Sequence, residues 1–315
     1  MTEIDTRPAV APPLAPGTRP VGGYEILGHL ARTGWLDLYD SWSEERACRC
    51  VIKMVRPDRR DEARLRERLL REGRWLQAFA HPHLVRAYET FTSPEPLVVL
   101  ETLCGETLSH LIDRLRRRPA AADVARLGVQ LCSAIHYLHG QGVLHLDLKP
   151  SNIVVDCGRA KVLDLSVARP PGIAPAGVGT FCYLAPEQAR GGRLSAAADV
   201  WGIGITLYEV ASGDVPFDCG ESADELYDAR TAEESCDVRT ARAQDGAATG
   251  GRDDWYPQLE ASAPPIASRR RLPPALAKAI DGCLRPDPSA RPTVGELAAA
   301  LGAMLEGQPP RVADT

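Results

Sequence analysis

Asp147, Lys149 and Asn152 stand within six residues in the run His145-Leu146-Asp147-Leu148-Lys149-Pro150-Ser151-Asn152. Twelve residues further on, Asp164 follows the apolar pair Val162-Leu163. An Asp and an Asn are the hard oxygen donors that Mg²⁺ prefers. An ammonium beside them can neutralise a phosphate, and a second Asp not needed for metal can orient a hydroxyl. Only four of the 37 basic residues are Lys, and Lys53 and Lys149 are two of them. A Lys kept in an Arg-rich chain marks a place wanting a compact ammonium rather than a planar fork. Singly, each of these residues also has an ordinary reading: Lys53 or Glu72 as a surface charge, Asp199 as a helix cap.

The elements that must position these groups fall into two regions. Tyr24 to Val55 shows short apolar runs separated by turns, which predicts a small antiparallel sheet. Residues 58–79 place Leu65, Leu69 and Leu76 at helical spacing, and strand-like runs follow near Leu84–Phe91 and Leu97–Leu103. Beyond them helices are predicted at 107–117, 121–140, 186–190, 198–212, 273–284 and 293–305, with Leu144 to Asp164 as a loop flanked by short strands.

With 315 residues, the chain is long enough for one two-lobed domain or two small ones. Apolar residues make up 44%, and the net charge of −5 argues against a sequence-independent nucleic-acid binder. No stretch reaches eighteen uncharged apolar residues and no signal-peptide core opens the chain, so the expectation is a cytoplasmic protein without a membrane segment. Nine Cys with no Cys-x-x-Cys pair read as reduced thiols, and Cys48/Cys50 lacks partners for a metal site. Residues 1–20 hold five Pro and predict a disordered tail. Residues 221–260 hold eleven acidic against four basic residues, so an acidic, flexible insertion is expected at 219–254.

The run from His145 to Asn152, followed by Asp164-Leu165-Ser166, resembles the catalytic loop and metal-binding turn of protein kinases, H-R-D-L-K-P-x-N and D-F-G. The resemblance extends over about residues 24–305 and is nearest to the bacterial, eukaryotic-like (Hanks-type) serine/threonine kinases. It implies an α+β, bilobal fold. A small antiparallel sheet with one helix and the hinge would span 21–103, a larger mainly helical lobe 104–308, and a tail 309–315. It further implies that Lys53 holds the α- and β-phosphates of ATP and pairs with Glu72. By the same resemblance Asp147 is the catalytic aspartate, Lys149 contacts the γ-phosphate, and Asn152 and Asp164 hold Mg²⁺, with Mn²⁺ as a substitute. Leu30, Gly34, Leu38, Val51, Leu100, Glu101, Leu103 and Val154 fall at nucleotide-contacting positions. Gly179 to Glu187 resembles the substrate-docking segment, Glu187 is expected to pair with Arg291, and Asp199 to brace the catalytic loop. The implied partners are ATP and a protein bearing a Ser or Thr hydroxyl.

Three departures stand out. Ala31, Thr33 and Leu36 occupy the three signature glycine positions of the phosphate-covering loop, and only Gly34 remains between them. Leu146 replaces the arginine of H-R-D, and the segment 164–187 carries only Ser166, Thr180 and Tyr183 as hydroxyls. Together these two imply activity without phosphorylation of that segment. Two other readings follow from the same residues: a pseudokinase or nucleotide-binding scaffold, favoured by the glycine-poor loop, and a small-molecule kinase, disfavoured by the docking segment.

Overall fold

The computed structural model describes residues 11–217 and 256–306; the insertion expected at 219–254 and the tail expected at 309–315 lie wholly outside them. The chain divides into two compact units, the first running to Ala80 and resuming at Val85–Thr102, the second comprising His81–Leu84 and everything from Leu103. His81–Leu84 thus departs from the expected 21–103 boundary. The reason is local: Val162 N–H donates to His83 O, and the His83 ring bonds Ala160 O at 2.8 Å.

The first unit is a five-stranded antiparallel sheet with one helix. Its strands are β1 (Tyr24–Arg32), β2 (Leu36–Ser43), β3 (Cys48–Val55), β4 (Ala87–Phe91) and β5 (Leu97–Glu101), in spatial order β1-β2-β3-β5-β4. Period-two alternation divides β3 cleanly. Cys50, Ile52 and Met54 join Tyr24, Ile26, Tyr39, Leu97 and Val99 in one buried cluster. Lys53 alternates with them and sits opposite Val98 of β5. Helix α1 (Ala63–Ala78) covers this other face with Leu65, Leu69 and Leu76 buried.

The cluster on the first face needs a cover of its own, and residues 11–21 supply it. Leu14 and Val21 pack against it. Leu14 N–H donates to the Tyr39 hydroxyl, and Gly17 and Thr18 bond the two sides of Ile26. The expectation of a disordered stretch is therefore corrected for residues 11–20, while residues 1–10 lie outside the described ones; the four prolines at 12, 13, 16 and 20 suit an extended strap as well as an unfolded tail, because they need few ladder hydrogen bonds.

The second unit is mainly helical. Its principal helices are α2 (Leu108–Arg114), α3 (Ala121–Gly140), α4 (Pro186–Arg190) and α5 (Ala196–Ser212), followed by Pro274–Cys283 and Val294–Ala303. The central α5 is apolar on nearly every side and buried almost throughout, as a helix surrounded by others must be. A three-stranded sheet of β6 (Glu106–Thr107), β7 (Ile153–Asp156) and β8 (Arg159–Val162) carries the loop Leu144–Asn152 into place. A two-stranded ribbon pairs β9 (Gly172–Ala174) with β10 (Gly192–Leu194). Cys182 is disulfide-bonded, so the expectation of reduced thiols does not hold at that position. No helix among the described residues is long and apolar enough to cross a membrane.

Gly73 sets how closely α1 approaches the sheet. A Cβ there would lie 2.5 Å from Thr90 Oγ1 and 2.7 Å from Val98 Cγ2, both on stiff β-branched side chains. Gly73→Ala is expected to destabilise the protein by about 1–3 kcal/mol despite its better helix propensity. Adding Thr90→Ala should restore part of the loss, because it removes two of the three clashing atoms. Urea unfolding of the single and double variants measures both effects.

Candidate active site

In the first unit, Lys53 Nζ donates to both Glu72 oxygens, at 2.8 and 2.9 Å, and both side chains are buried. β3 projects the ammonium from the face that α1 covers, and α1 projects the carboxylate one residue before Gly73. Breaking such a buried pair from one side typically costs about 3–5 kcal/mol, because the remaining charge is stranded. Val51, opposite Leu100, and Leu38, opposite Lys53, are neighbours on the same sheet. Glu101 accepts from Arg86 N–H through its side chain and donates its own N–H to Arg86 O. Leu30 is exposed on β1.

The turn joining β1 to β2 is closed on itself. Thr33 N–H donates to Leu36 O, and Thr33 Oγ1 accepts from Leu36 N–H at 3.1 Å. Arg56 donates to Thr33 O and Gly34 O, and Arg59 donates to Gly34 O at 2.9 Å. Trp35 is buried, with the Arg68 guanidinium 4.6 Å over its ring. A glycine-rich loop serves a nucleotide by presenting backbone N–H groups to phosphate. Here the N–H groups of Thr33 and Leu36 are already used within the turn. Sequence reasoning marked these positions as lost glycines; it did not show that Thr33, Arg56 and Arg59 had taken over the turn.

Behind that turn, the buried Asp37 carboxylate receives the Arg32 guanidinium through two bonds of 2.7 Å, the His29 ring at 3.0 Å and the Tyr39 hydroxyl. Burial works to raise its pKa, but the Arg32 and His29 bonds outweigh it and hold the pKa below the ordinary carboxylate value.

The second unit gathers Asp147, Lys149, Asn152 and Asp164. Asn152 Nδ2 donates to the Asp147 backbone O and to its Oδ2, both at 2.9 Å. Thr180 Oγ1 donates to Asp147 Oδ1 at 2.5 Å and accepts from Lys149 Nζ at 2.6 Å. Lys149 Nζ lies 3.4 Å from Asp147 Oδ2. Leu163 N–H donates to Asn152 O at 2.8 Å, which brings Asp164 beside Asn152, and Asp164 Oδ1 accepts from Ser166 N–H. Asp164 sits at φ +54°, a strained conformation for a non-glycine residue and one found at functional turns. Val154, on β7, is buried.

The loop is held from behind by Asp199 on α5. Its Oδ1 accepts from Leu146 N–H at 2.7 Å, and its Oδ2 accepts from His145 N–H at 2.9 Å and meets the His139 ring at 2.8 Å. Gln188 Nε2 donates to Leu146 O and Val178 O, at 2.8 and 2.7 Å, which fastens the stretch from Val178 to Gln188 to the same loop. Sequence reasoning passed over Gln188, since a Gln beside Glu187 carries no signal of its own. Glu187 and Arg291 form a bidentate pair at 2.7 and 2.8 Å.

Asn152 spends its amide nitrogen on Asp147, so the oxygen end suits a hard cation, as does the Asp164 carboxylate. Among the described residues no three His, Cys, Asp or Glu side chains gather to hold a metal.

A sheet-and-helix unit with a buried Lys–Glu pair, and a helical unit with an Asp–Lys–Asn loop and a nearby Asp, define the protein kinase class. The protein kinase domain family matches residues 37–300, and the chain belongs to that family. It is 33% identical over 179 residues to the serine/threonine-protein kinase PknB of Mycobacterium leprae, a match covering 53% of this chain and 29% of that protein. It is 31% identical over 209 residues to the CBL-interacting serine/threonine-protein kinase 21 of Arabidopsis thaliana, covering 64% and 50%. Against the probable serine/threonine-protein kinase CE0033 of Corynebacterium efficiens it is 29% identical over 212 residues, covering 63% and 32%. The matched stretch spans no more than half the length of these relatives.

Glu209 of α5 accepts a hydrogen bond from the Tyr183 hydroxyl at 2.7 Å, and burial, reinforced by Asp113 and Asp214, pushes its pKa up to about 7 from 4.5. A raised carboxyl binds its proton more tightly folded than unfolded. Its contribution to stability is present below about pH 4.5 and is lost as pH rises through 7. Glu209→Gln keeps an acceptor for Tyr183 and cannot titrate. Relative to this variant, the native chain should lose roughly 2–3 kcal/mol between pH 5 and 8 in paired urea denaturations.

Proposed function

We propose that this chain is an ATP-dependent serine/threonine protein kinase that does not need phosphorylation of the 164–187 segment. The observation that carries the reading is the Asp147 carboxylate, fixed by Asn152 and already receiving a hydroxyl, that of Thr180, beside the Lys149 ammonium. A carboxylate held in this way can orient an acceptor hydroxyl and take its proton as the new P–O bond forms. Lys149 neutralises charge on the transferring phosphoryl group, and Thr180 hands Asp147 over to an incoming Ser or Thr. Lys53, kept in place by Glu72, binds the α- and β-phosphates. Asn152 and Asp164 would hold Mg²⁺ or Mn²⁺, which supplies positive charge to the phosphates when bound.

Independence from segment phosphorylation is supported by where the hydroxyls are. Thr180 is committed to Asp147 and Lys149, Tyr183 to Glu209, and Ser166 is buried. Leu146, in the place of the arginine that would meet a phosphate, is buried, and Gln188 and the β9–β10 ribbon order the segment with neutral groups.

One observation favours a second reading, a nucleotide-binding scaffold without catalysis: the self-satisfied Thr33–Leu36 turn. Labelled ATP, Mg²⁺ or Mn²⁺ and a general acceptor protein separate the two. Label transfer should fall at least about a hundredfold in Asp147→Asn and in Lys53→Met. A nucleotide-dependent rise in thermal midpoint with no transfer by the native chain would instead establish the scaffold. Phosphatase treatment of active protein should leave its rate unchanged; a phosphate mapped to 164–187 whose removal abolished transfer would contradict the second half of the proposal.

A further inference from the structure

We propose that Cys104 and Cys157 form a thiol pair that a peroxide converts to an intramolecular disulfide, tying the chain that enters β6 to the β7–β8 turn. β6 and β7 pair antiparallel with Glu106 opposite Val155 and Thr107 opposite Val154. Continuing the register one step sets Gly105 opposite Asp156, and a second step sets Cys104 opposite Cys157. The two backbones are still in contact at the first of these steps. A Cβ on Gly105 would lie 2.1 Å from Val155 O and 2.8 Å from Asp156 N, so only glycine admits the approach.

Directly opposed residues of an antiparallel pair have Cβ atoms about 4.5–5.5 Å apart. A disulfide needs about 3.5–4.5 Å. The difference falls on a place that can absorb it. Cys157 is the first residue of a two-residue turn, at φ +48° with Gly158 at φ +76°, and not part of a packed strand. Both thiols are exposed, whereas Cys50, Cys132 and Cys283 are buried and Cys48 is half-buried.

The chemistry divides the roles. A hydrogen bond with Asp156 and that residue's charge disfavour the Cys157 thiolate, and the Cys104 charge reaches it as well. The first attack therefore falls to Cys104. Its thiolate sulfur bonds to one peroxide oxygen, the O–O bond breaks, and the leaving hydroxide takes up the proton released when the thiol ionised, departing as water and leaving a sulfenic acid. The Cys157 sulfur then attacks the Cys104 sulfur. The S–S bond forms, the S–O bond breaks, and the Cys157 proton leaves with the hydroxide as a second water. Two thiols are oxidised by two electrons and one peroxide is reduced.

The test uses the full chain, reduced, desalted and then exposed to hydrogen peroxide, with peptide mapping and thiol alkylation as readouts. A peptide linking Cys104 to Cys157 should accumulate and disappear with dithiothreitol. In Cys104→Ser, the loss of alkylatable Cys157 should slow at least about tenfold, because the resolving reaction has no first sulfur to attack. In Cys157→Ser, Cys104 should persist as a sulfenic acid trapped by dimedone. Both positions are exposed, and unchanged thermal midpoints would show that the variants fold. Cys157 linked to a different cysteine, or oxidised as quickly without Cys104, or both thiols still alkylatable after peroxide, would overturn the pairing. None of these readouts depends on phosphoryl transfer.

Discussion

The geometry of the second unit depends on one buried carboxylate. Asp199 is almost fully excluded from solvent, and among the described residues its one charged or chargeable partner is the His139 ring. Two backbone N–H groups, of His145 and Leu146, supply the rest of its satisfaction. A buried charge without such donors would be strongly unfavourable, so the loop is compelled to turn its amides towards α5. That compulsion places Leu146 at φ +67°, which no leucine adopts unaided. Once Leu146 is fixed, the chain reverses. The His145 ring meets Leu163 O at 3.0 Å and accepts from Asp147 N–H, and the Asp147 carboxylate emerges on the side of Asn152 and Thr180.

The first unit has a different constraint, the closeness of α1 to the sheet. Lys53 and Glu72 meet only because the helix carries a glycine where the two surfaces touch. The same helix reaches the β1–β2 turn through Arg68 and Trp35, while Arg56 and Arg59, just ahead of it, hold the turn's carbonyls. A turn bound at both its amides and its carbonyls has little freedom to close over a ligand. The buried Lys53 ammonium, by contrast, is held by a side-chain pair and not by the turn.

The helices and strands were legible because apolar spacing and Pro and Gly punctuation report directly on secondary structure. Ala63–Ala78, Ala121–Gly140 and Ala196–Ser212 all lie within or next to their predicted spans. The charged residues of the site were legible because their spacing is tied to particular turns. Three things escaped for a shared reason: each depends on a partner distant in sequence. The Pro-rich stretch gains its order from Tyr39 and Ile26, Thr33 gains its role from Arg56 and Arg59, and Gln188 gains its role from Leu146. Composition describes a segment by itself, and none of these segments is ordered by itself.

Ordering the 164–187 segment with neutral groups has an electrostatic corollary. An arginine–phosphate latch gains most of its strength from charge and weakens as salt screens it. Here the latch is an amide, Gln188, bonded to two carbonyls, together with a hydroxyl, Tyr183, bonded to a carboxyl whose pKa burial raises to about 7. Neutral hydrogen bonds in a dry setting respond little to ionic strength and are not switched by a kinase or a phosphatase. With Leu146 filling the arginine's place, an added phosphate would find no guanidinium at that position. Gln188 therefore holds the segment to the loop without a charged latch.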